Sequence, residues 1–317
     1  MAEITTRRVD TNGIAMSVQE AGTGPAVLLC HGWPELGHSW RHQIAALADA
    51  GFRAIAPDMR GYGASDAPAD IADYTLLHLV GDMVGLLDSL DLDQAVIVGH
   101  DWGAPVAWQG ALMRPDRFRA VAGLSVPYAL RSPRANLAVL REAGMHRFYQ
   151  LYFQEPGVAE AEFEADIRDA LMRVYFGISG EAPMWNGLIA ESGRLLDALP
   201  ARDAPPDWMP ESDLAVYIAG FQASGFRGGF NWYRNLERNH ALLAPWAGAK
   251  VGVPALFVAG EKDPVIAWDA MQRAIAALPE TCPRHAGTHI VPGAGHWVQQ
   301  EAPEAVNDAL IGFLRGL

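Results

Sequence analysis

The chain has 317 residues, half of them hydrophobic and 19% charged, a globular composition long enough for one large core with an insertion and a poor match to disorder. Its 24 basic and 37 acidic residues leave a net charge of −13 with no Lys/Arg-rich run, which argues against nucleic acid and anionic membrane as partners. Only two cysteines occur, and Cys30 lies in an apolar run as a packed thiol would, while "MAEITTRRVD" lacks a signal-peptide core and no stretch approaches about 18 uninterrupted apolar residues. A soluble cytoplasmic protein is therefore expected. In chain order, "TRRVDT" and "IAMSVQEAG" alternate in strand fashion and meet at Asn12-Gly13, a strong hairpin signal. Apolar strand-like runs follow at 26–32, 52–58, 94–100, 119–126, 254–260 and 289–295, with helical periodicity between them, as in "TLLHLVGDMVGLLDSL" from Thr75. That rhythm predicts an α/β fold, a mostly parallel sheet flanked by helices.

The rhythm breaks between about Ala129 and Pro245, where the sequence is helical and interrupted by "SPR", "EPG" and "DAPPDWMP". This stretch carries 15 Phe, Trp and Tyr against 14 in the other 200 residues, a concentration expected of an apolar lid over a pocket, although rings also fill small helical cores. The expected organisation is a core of residues 1–128 and 246–317 with a helical cap at 129–245. Strand ends beside such an insertion are where sheets of this type hold ligands.

The most informative stretch is "VIVGHDWGAP", a buried strand turning into a helix. Gly99 and Gly103 leave room for the strained turn of the hydrolase G-x-S-x-G motif, in which the tip residue projects above the sheet as a nucleophile. Here the tip is Asp101. A helix N-cap is the plain alternative for an Asp, but it leaves the flanking glycines unexplained. Further on, "FVAGEKDPV" puts Asp263 just after a strand and "VPGAGHWVQQ" puts His296 in a Gly-rich loop before the last helix. Nucleophile, acid, histidine is the chain order of the α/β-hydrolase triad. The loop after "AVAGLSV" reads "PYALRS" and offers no rival carboxylate. "HGWPE" follows the first apolar run, so the backbone N–H groups of Trp33 and Trp102 are candidate oxyanion donors.

An ionised Asp needs no base to attack, but against an ester it would form a higher-energy anhydride. Against a saturated carbon bearing a leaving group it forms an alkyl ester, which water activated by His296 and oriented by Asp263 then hydrolyses. Halide and epoxide oxygen both fit as leaving groups; the second departs as a basic alkoxide and calls for an acid such as tyrosine.

"HGWPE", "GHDWGA", "FYQLYFQEPGVAEAEFE", "SGFRGGFNWYRNLERN", "GEKDPV" and "GAGHWVQQE" together resemble the soluble epoxide hydrolases of the α/β-hydrolase superfamily, over residues 31–301. The resemblance implies hydrolysis of an epoxide to a vicinal diol, with two cap tyrosines holding the epoxide oxygen. The matching positions are Tyr149, four residues before Phe153 in "FQEPG", and Tyr233 in "NWYRN". Tyr152 rivals Tyr149, because i and i+3 share a helix face. The resemblance implies no cofactor and no metal, a small-molecule epoxide as the partner, and, without the extra N-terminal domain of mammalian members, no second activity. A haloalkane dehalogenase would share the Asp elbow, the histidine and the Trp after the nucleophile. Trp33, where those enzymes resemble "HGNP", and the tyrosine motifs separate the two. A catalytically silent binding protein of the same fold would keep the pocket without turnover.

Overall fold

The computed structural model describes residues 3–317; Met1 and Ala2, which open the N-terminal segment read for a signal peptide, lie outside it. Among the described residues, eight strands form one sheet in the order β1-β2-β4-β3-β5-β6-β7-β8. Strands β1 (Thr5–Thr11) and β2 (Ile14–Ala21) make an antiparallel hairpin in which Thr11 faces Ile14. Asn12 and Gly13 both take positive φ, 43° and 79°, as the twist of a two-residue hairpin requires. β2 runs antiparallel to β4 (Arg53–Pro57). The remaining pairs are parallel and join β4, β3 (Ala26–Cys30), β5 (Ala95–His100), β6 (Phe118–Leu124), β7 (Ala255–Gly260) and β8 (His285–Val291).

β3, β5 and β7 are buried along their whole length. Helices cover both faces, so both sets of alternating side chains are apolar. Val27, Leu29, Val96, Val98 and Val258 pack against α1 (Arg41–Asp49) and α13 (Pro303–Arg315) through Ile44, Leu47, Val306 and Leu310. Leu28, Cys30, Ile97, Val121 and Phe257 face the other way, toward α2 (Leu76–Ser89) and α3 (Gly103–Met113). Thr75 caps α2 by accepting from the His78 N–H. α11 (Asp269–Thr281) crosses between β7 and β8, and the short α12 (Val298–Glu301) precedes α13. Cys30 and Cys282 are both buried and unpaired.

Between β6 and β7 the described chain has no strand, only an isolated antiparallel bridge between Phe148 and Leu188, and its α-helices are α4 (Asn136–Glu142), α5 (Tyr149–Tyr152), α6 (Val158–Ala165), α7 (Ile167–Gly177), α8 (Glu211–Ser224), α9 (Arg227–Arg234) and α10 (Leu236–Leu242). Of the breaks expected, "SPR" lies ahead of α4, "EPG" falls between α5 and α6 and "DAPPDWMP" between α7 and α8. The last strand differs from expectation. β8 begins at His285 and ends at Val291, before the run taken for it is complete, because "HAGTHI" forms a largely exposed sheet edge and carries no apolar signal, while "PGAG" is the loop beyond. No helix among the described residues is long and apolar enough to cross a membrane.

Candidate active site

Gly32, Asp101, Ser125, Asp263 and His296 all follow the C-terminal ends of neighbouring strands: β3, β5, β6, β7 and β8. The turn after β5 holds Asp101 at φ 48°, a left-handed conformation uncommon for residues other than glycine. Packing keeps the turn tight. A Cβ on Gly99 would stand 2.0 Å from the Gly103 carbonyl oxygen, and one on Gly103 would stand 2.0 Å from that of Cys30. The Asp101 N–H donates to the Leu124 carbonyl at 3.3 Å and its carbonyl accepts from Ala104 N–H at 3.0 Å, so both sides of the turn are fastened. An N-cap contact from the Asp101 side chain to α3 is absent.

The two carboxylate oxygens of Asp101 have different partners. Oδ1 accepts from the Trp33 N–H at 2.8 Å, whereas Oδ2 lies 3.5 Å from His296 Nε2. The side chain keeps 14% exposure, toward the cavity. Trp102 stands immediately before α3, and its N–H makes no hydrogen bond to another described residue. Burial works against the Asp101 charge, but the hydrogen bond and charge of His296, with His100 and the Trp33 N–H behind them, hold the carboxyl below its ordinary range. It is ionised at neutral pH.

His296 Nδ1 lies 3.1 Å from Asp263 Oδ1, and Asp263 is fully buried. Burial again opposes charge on the ring, yet Asp263 and then Asp101 outweigh it and hold the imidazolium well above the usual histidine range. Ser125 Oγ donates to Asp263 Oδ2 at 2.5 Å and lies 3.0 Å from His296 Nδ1. The position after β6 that offers no carboxylate therefore still holds Asp263 in place. Glu301 fixes the histidine loop, with Oε1 accepting from Trp297 N–H at 3.0 Å and Oε2 from Gly295 N–H at 2.9 Å and Gly180 N–H at 2.8 Å. Beneath the site, Glu35 Oε2 accepts from Gly32 N–H and faces His100 Nδ1 at 2.7 Å, and His100 Nε2 donates to the His296 carbonyl at 2.7 Å. The sequence assigns no role to Ser125, Glu35, His100 or Glu301; the signal for them is the presence of Glu35 in "HGWPE", His100 in "GHDWGA" and Glu301 in "GAGHWVQQE".

Two tyrosines from the helical insert face Asp101. Tyr149 at the start of α5 and Tyr233 near the end of α9 line the same cavity as Asp101, with ring centroids 5.8 Å apart. The segments that carry them are joined: Arg234 donates to the Phe153 carbonyl at 3.1 Å and pairs with Glu160 at 2.7 Å, and Gln154 donates to the Tyr233 carbonyl at 3.1 Å. α9 can approach the core because Gly228 lies against Gly61, where a Cβ would meet the Gly61 carbonyl at 2.2 Å. The Tyr233 ring meets Trp33 and Trp102 edge-on, at 5.9 and 5.2 Å. Burial first, then the Asp101 charge, pushes both phenols above their ordinary range, so both keep their protons. Tyr152 is placed elsewhere, its hydroxyl bonded to Glu162. Among the described residues no cluster of three His, Cys, Asp or Glu side chains is set to hold a metal.

Comparison with known proteins gives a consistent picture. The family described as alpha/beta hydrolase fold matches residues 25–303. Epoxide hydrolase A of Mycobacterium tuberculosis is 43% identical over 326 aligned positions, covering 100% of this chain and 99% of that one. Among solved structures, an epoxide hydrolase from an endophytic Streptomyces superposes with a TM-score of 0.95 at 43% identity, covering 99% of this chain and 96% of that one. Epoxide hydrolase A from Mycobacterium thermoresistibile gives 0.93 at 46% identity, covering 99% of both chains.

Proposed function

The chain belongs to the alpha/beta hydrolases and, within them, to the epoxide hydrolases, and from that premise we propose that it opens epoxides to vicinal diols through a covalent ester on Asp101. The observation that carries this reading is the pair of protonated tyrosines facing an ionised carboxylate across one cavity. The helical insert at 129–245 is read as the cap that supplies those tyrosines and keeps water from the alkylation step.

Asp101 Oδ2 is the attacking oxygen, because Oδ1 is engaged by the Trp33 N–H. It forms a bond to one epoxide carbon as that carbon's bond to the ring oxygen breaks, and the leaving oxygen takes a proton from Tyr149 or Tyr233. A free alkoxide in a dry aromatic pocket would be costly, and two donors share the developing charge. Alkylation removes the Asp101 charge, one of the interactions that keep His296 protonated, so the ring releases its proton, which by way of solvent restores the phenol that gave its own to the leaving oxygen, and becomes a base. His296 Nε2 then takes a proton from water while that water attacks the ester carbonyl carbon. The carbonyl oxygen, Oδ1, already rests on the Trp33 N–H, with the Trp102 N–H as second donor, and the same groups receive the oxyanion. Collapse breaks the bond from the carbonyl carbon to Oδ2, the departing oxygen takes the proton left on the added water oxygen to complete the diol, and the carboxylate is restored beside a protonated His296. Asp263 and Ser125 keep the ring oriented throughout.

The test is a panel of aryl and alkyl epoxides assayed for diol, with chloro- and bromoalkanes in parallel. Diol formation without halide release is expected. Halide release without diol would make the protein a dehalogenase, and tight binding without turnover would make it a binding protein.

A further inference from the structure

The cavity over Asp101 has two arms of very different size. They meet at Asp101, Tyr149, Tyr233, Val265 and Trp268, which line both. One arm encloses about 320 Å³ and runs past Leu112, Tyr128, Leu236 and Leu243 toward Arg131 and His240. The other encloses about 30 Å³ and ends on Val174, Ile178, Trp185, Leu195, Leu199 and Pro264. His296 lines only the small arm, so the water it activates must stand there. That water has to share the small arm, whose free space is about a tenth of the other's, with any substituent placed there.

The end wall of the small arm is fastened from several sides. The N–H groups of Leu195 and Leu196 donate to the buried Glu162 carboxylate at 3.1 and 2.9 Å, and Arg173 donates to the carbonyls of Leu196 and Leu199, both at 3.1 Å. Leu199 itself is buried against Gly177, where a Cβ would meet its Cδ2 at 2.9 Å. A substituent that overfills this arm has to displace the water or strain packed side chains, and overpacking of a dense core is costly.

We propose that the enzyme acts on epoxides bearing one large substituent, held in the arm toward Arg131, and only hydrogen or methyl on the other ring carbon, with the Leu195–Leu199 wall setting that limit. This rests on the epoxide-hydrolase reading and adds a substrate class to it. A hydrophobic pocket distinguishes single methylenes by about 10- to 200-fold, so the limit has a measurable size.

The experiment measures kcat/KM for trans-epoxides with hexyl on one carbon and hydrogen, methyl, propyl or pentyl on the other. Hydrogen and methyl members are expected to be the good substrates, with a fall of at least about 100-fold from methyl to propyl. Leu199→Ala is expected to raise the propyl-to-methyl ratio tenfold or more. Ile178→Ala, at a half-buried position of the same arm, opens it with less risk to folding and should shift the ratio the same way. Wild-type rates for propyl and pentyl close to that for methyl would overturn the limit, as would unchanged ratios in both folded variants. If the hydrogen member gives diol and the series is flat, only the size limit fails; if no member gives diol, the epoxide reading fails with it.

Discussion

Replacing Asp263 by Asn separates the two stages of the proposed reaction. The substitution preserves shape but removes the buried charge whose Oδ1 lies 3.1 Å from His296 Nδ1, the largest of the attractions holding the imidazolium. A unit charge at about 4 Å is worth about 4 kcal/mol at the effective dielectric of such sites. At 1.36 kcal/mol per decade, that is close to three orders of magnitude in the basicity of His296. The amide can also present an N–H to Nδ1, driving the ring proton onto Nε2, where a base must be empty. Ester breakdown is therefore expected to slow by about 10²- to 10⁴-fold, the range for losing a general base. Ester formation by Asp101 needs no base and keeps its rate. Intact-protein mass spectrometry of quenched samples follows the ester, and stopped-flow fluorescence of Trp33 and Trp102, which flank Asp101, times its formation and decay. Breakdown at the wild-type rate, or formation slowed as much as breakdown, would refute the reasoning.

Tyr149→Phe or Tyr233→Phe should slow ester formation and leave ester breakdown unchanged, with each single variant retaining partial activity and the double variant losing about 10²- to 10⁴-fold; pre-steady-state kinetics of the three variants checks this. The pH dependence should differ between the stages. Once Asp101 is esterified, the pKa of His296 falls from its raised value, so ester breakdown should be slow at low pH, where the ring is protonated, and rise with pH to a plateau as it becomes neutral. Ester formation should stay flat downward until Asp101 protonates, below the ordinary carboxylate range; single-turnover rates across pH test both limbs. Glu301→Ala leaves the N–H groups of Gly180, Gly295 and Trp297 without their acceptor, at about 1–3 kcal/mol for each that stays dry. It should lower the melting temperature and slow ester breakdown more than formation, measured by calorimetry and by decay of the ester.

Much of this architecture was legible because local and global signals coincide. Strands covered on both faces read as unbroken apolar runs, which is why β3, β5 and β7 stand out, and Asn12-Gly13 states its turn directly. β8 was misplaced because an exposed edge strand carries no such run. Asp101, Asp263 and His296 were visible as chemical residue types just beyond strand signals. Ser125 was not, since its partner His296 lies 171 residues away, and Glu301 was not, since a carboxylate in a helical segment reads as a solvated side chain until the loop at Gly295 and Trp297 folds back onto it. Tyr149 and Tyr152 share a helix face in sequence, and what separates them is a tertiary contact, the bond from Tyr152 to Glu162.

The central claim is that the oxygen delivered to the diol comes from Asp101 and is replaced from water. A single turnover in heavy-oxygen water, with enzyme in excess over epoxide, tests it most directly. The account predicts unlabelled diol and a labelled carboxylate in the peptide containing Asp101. Labelled diol in that first turnover, with Asp101 unlabelled, would mean that water attacks the epoxide itself and would contradict the account.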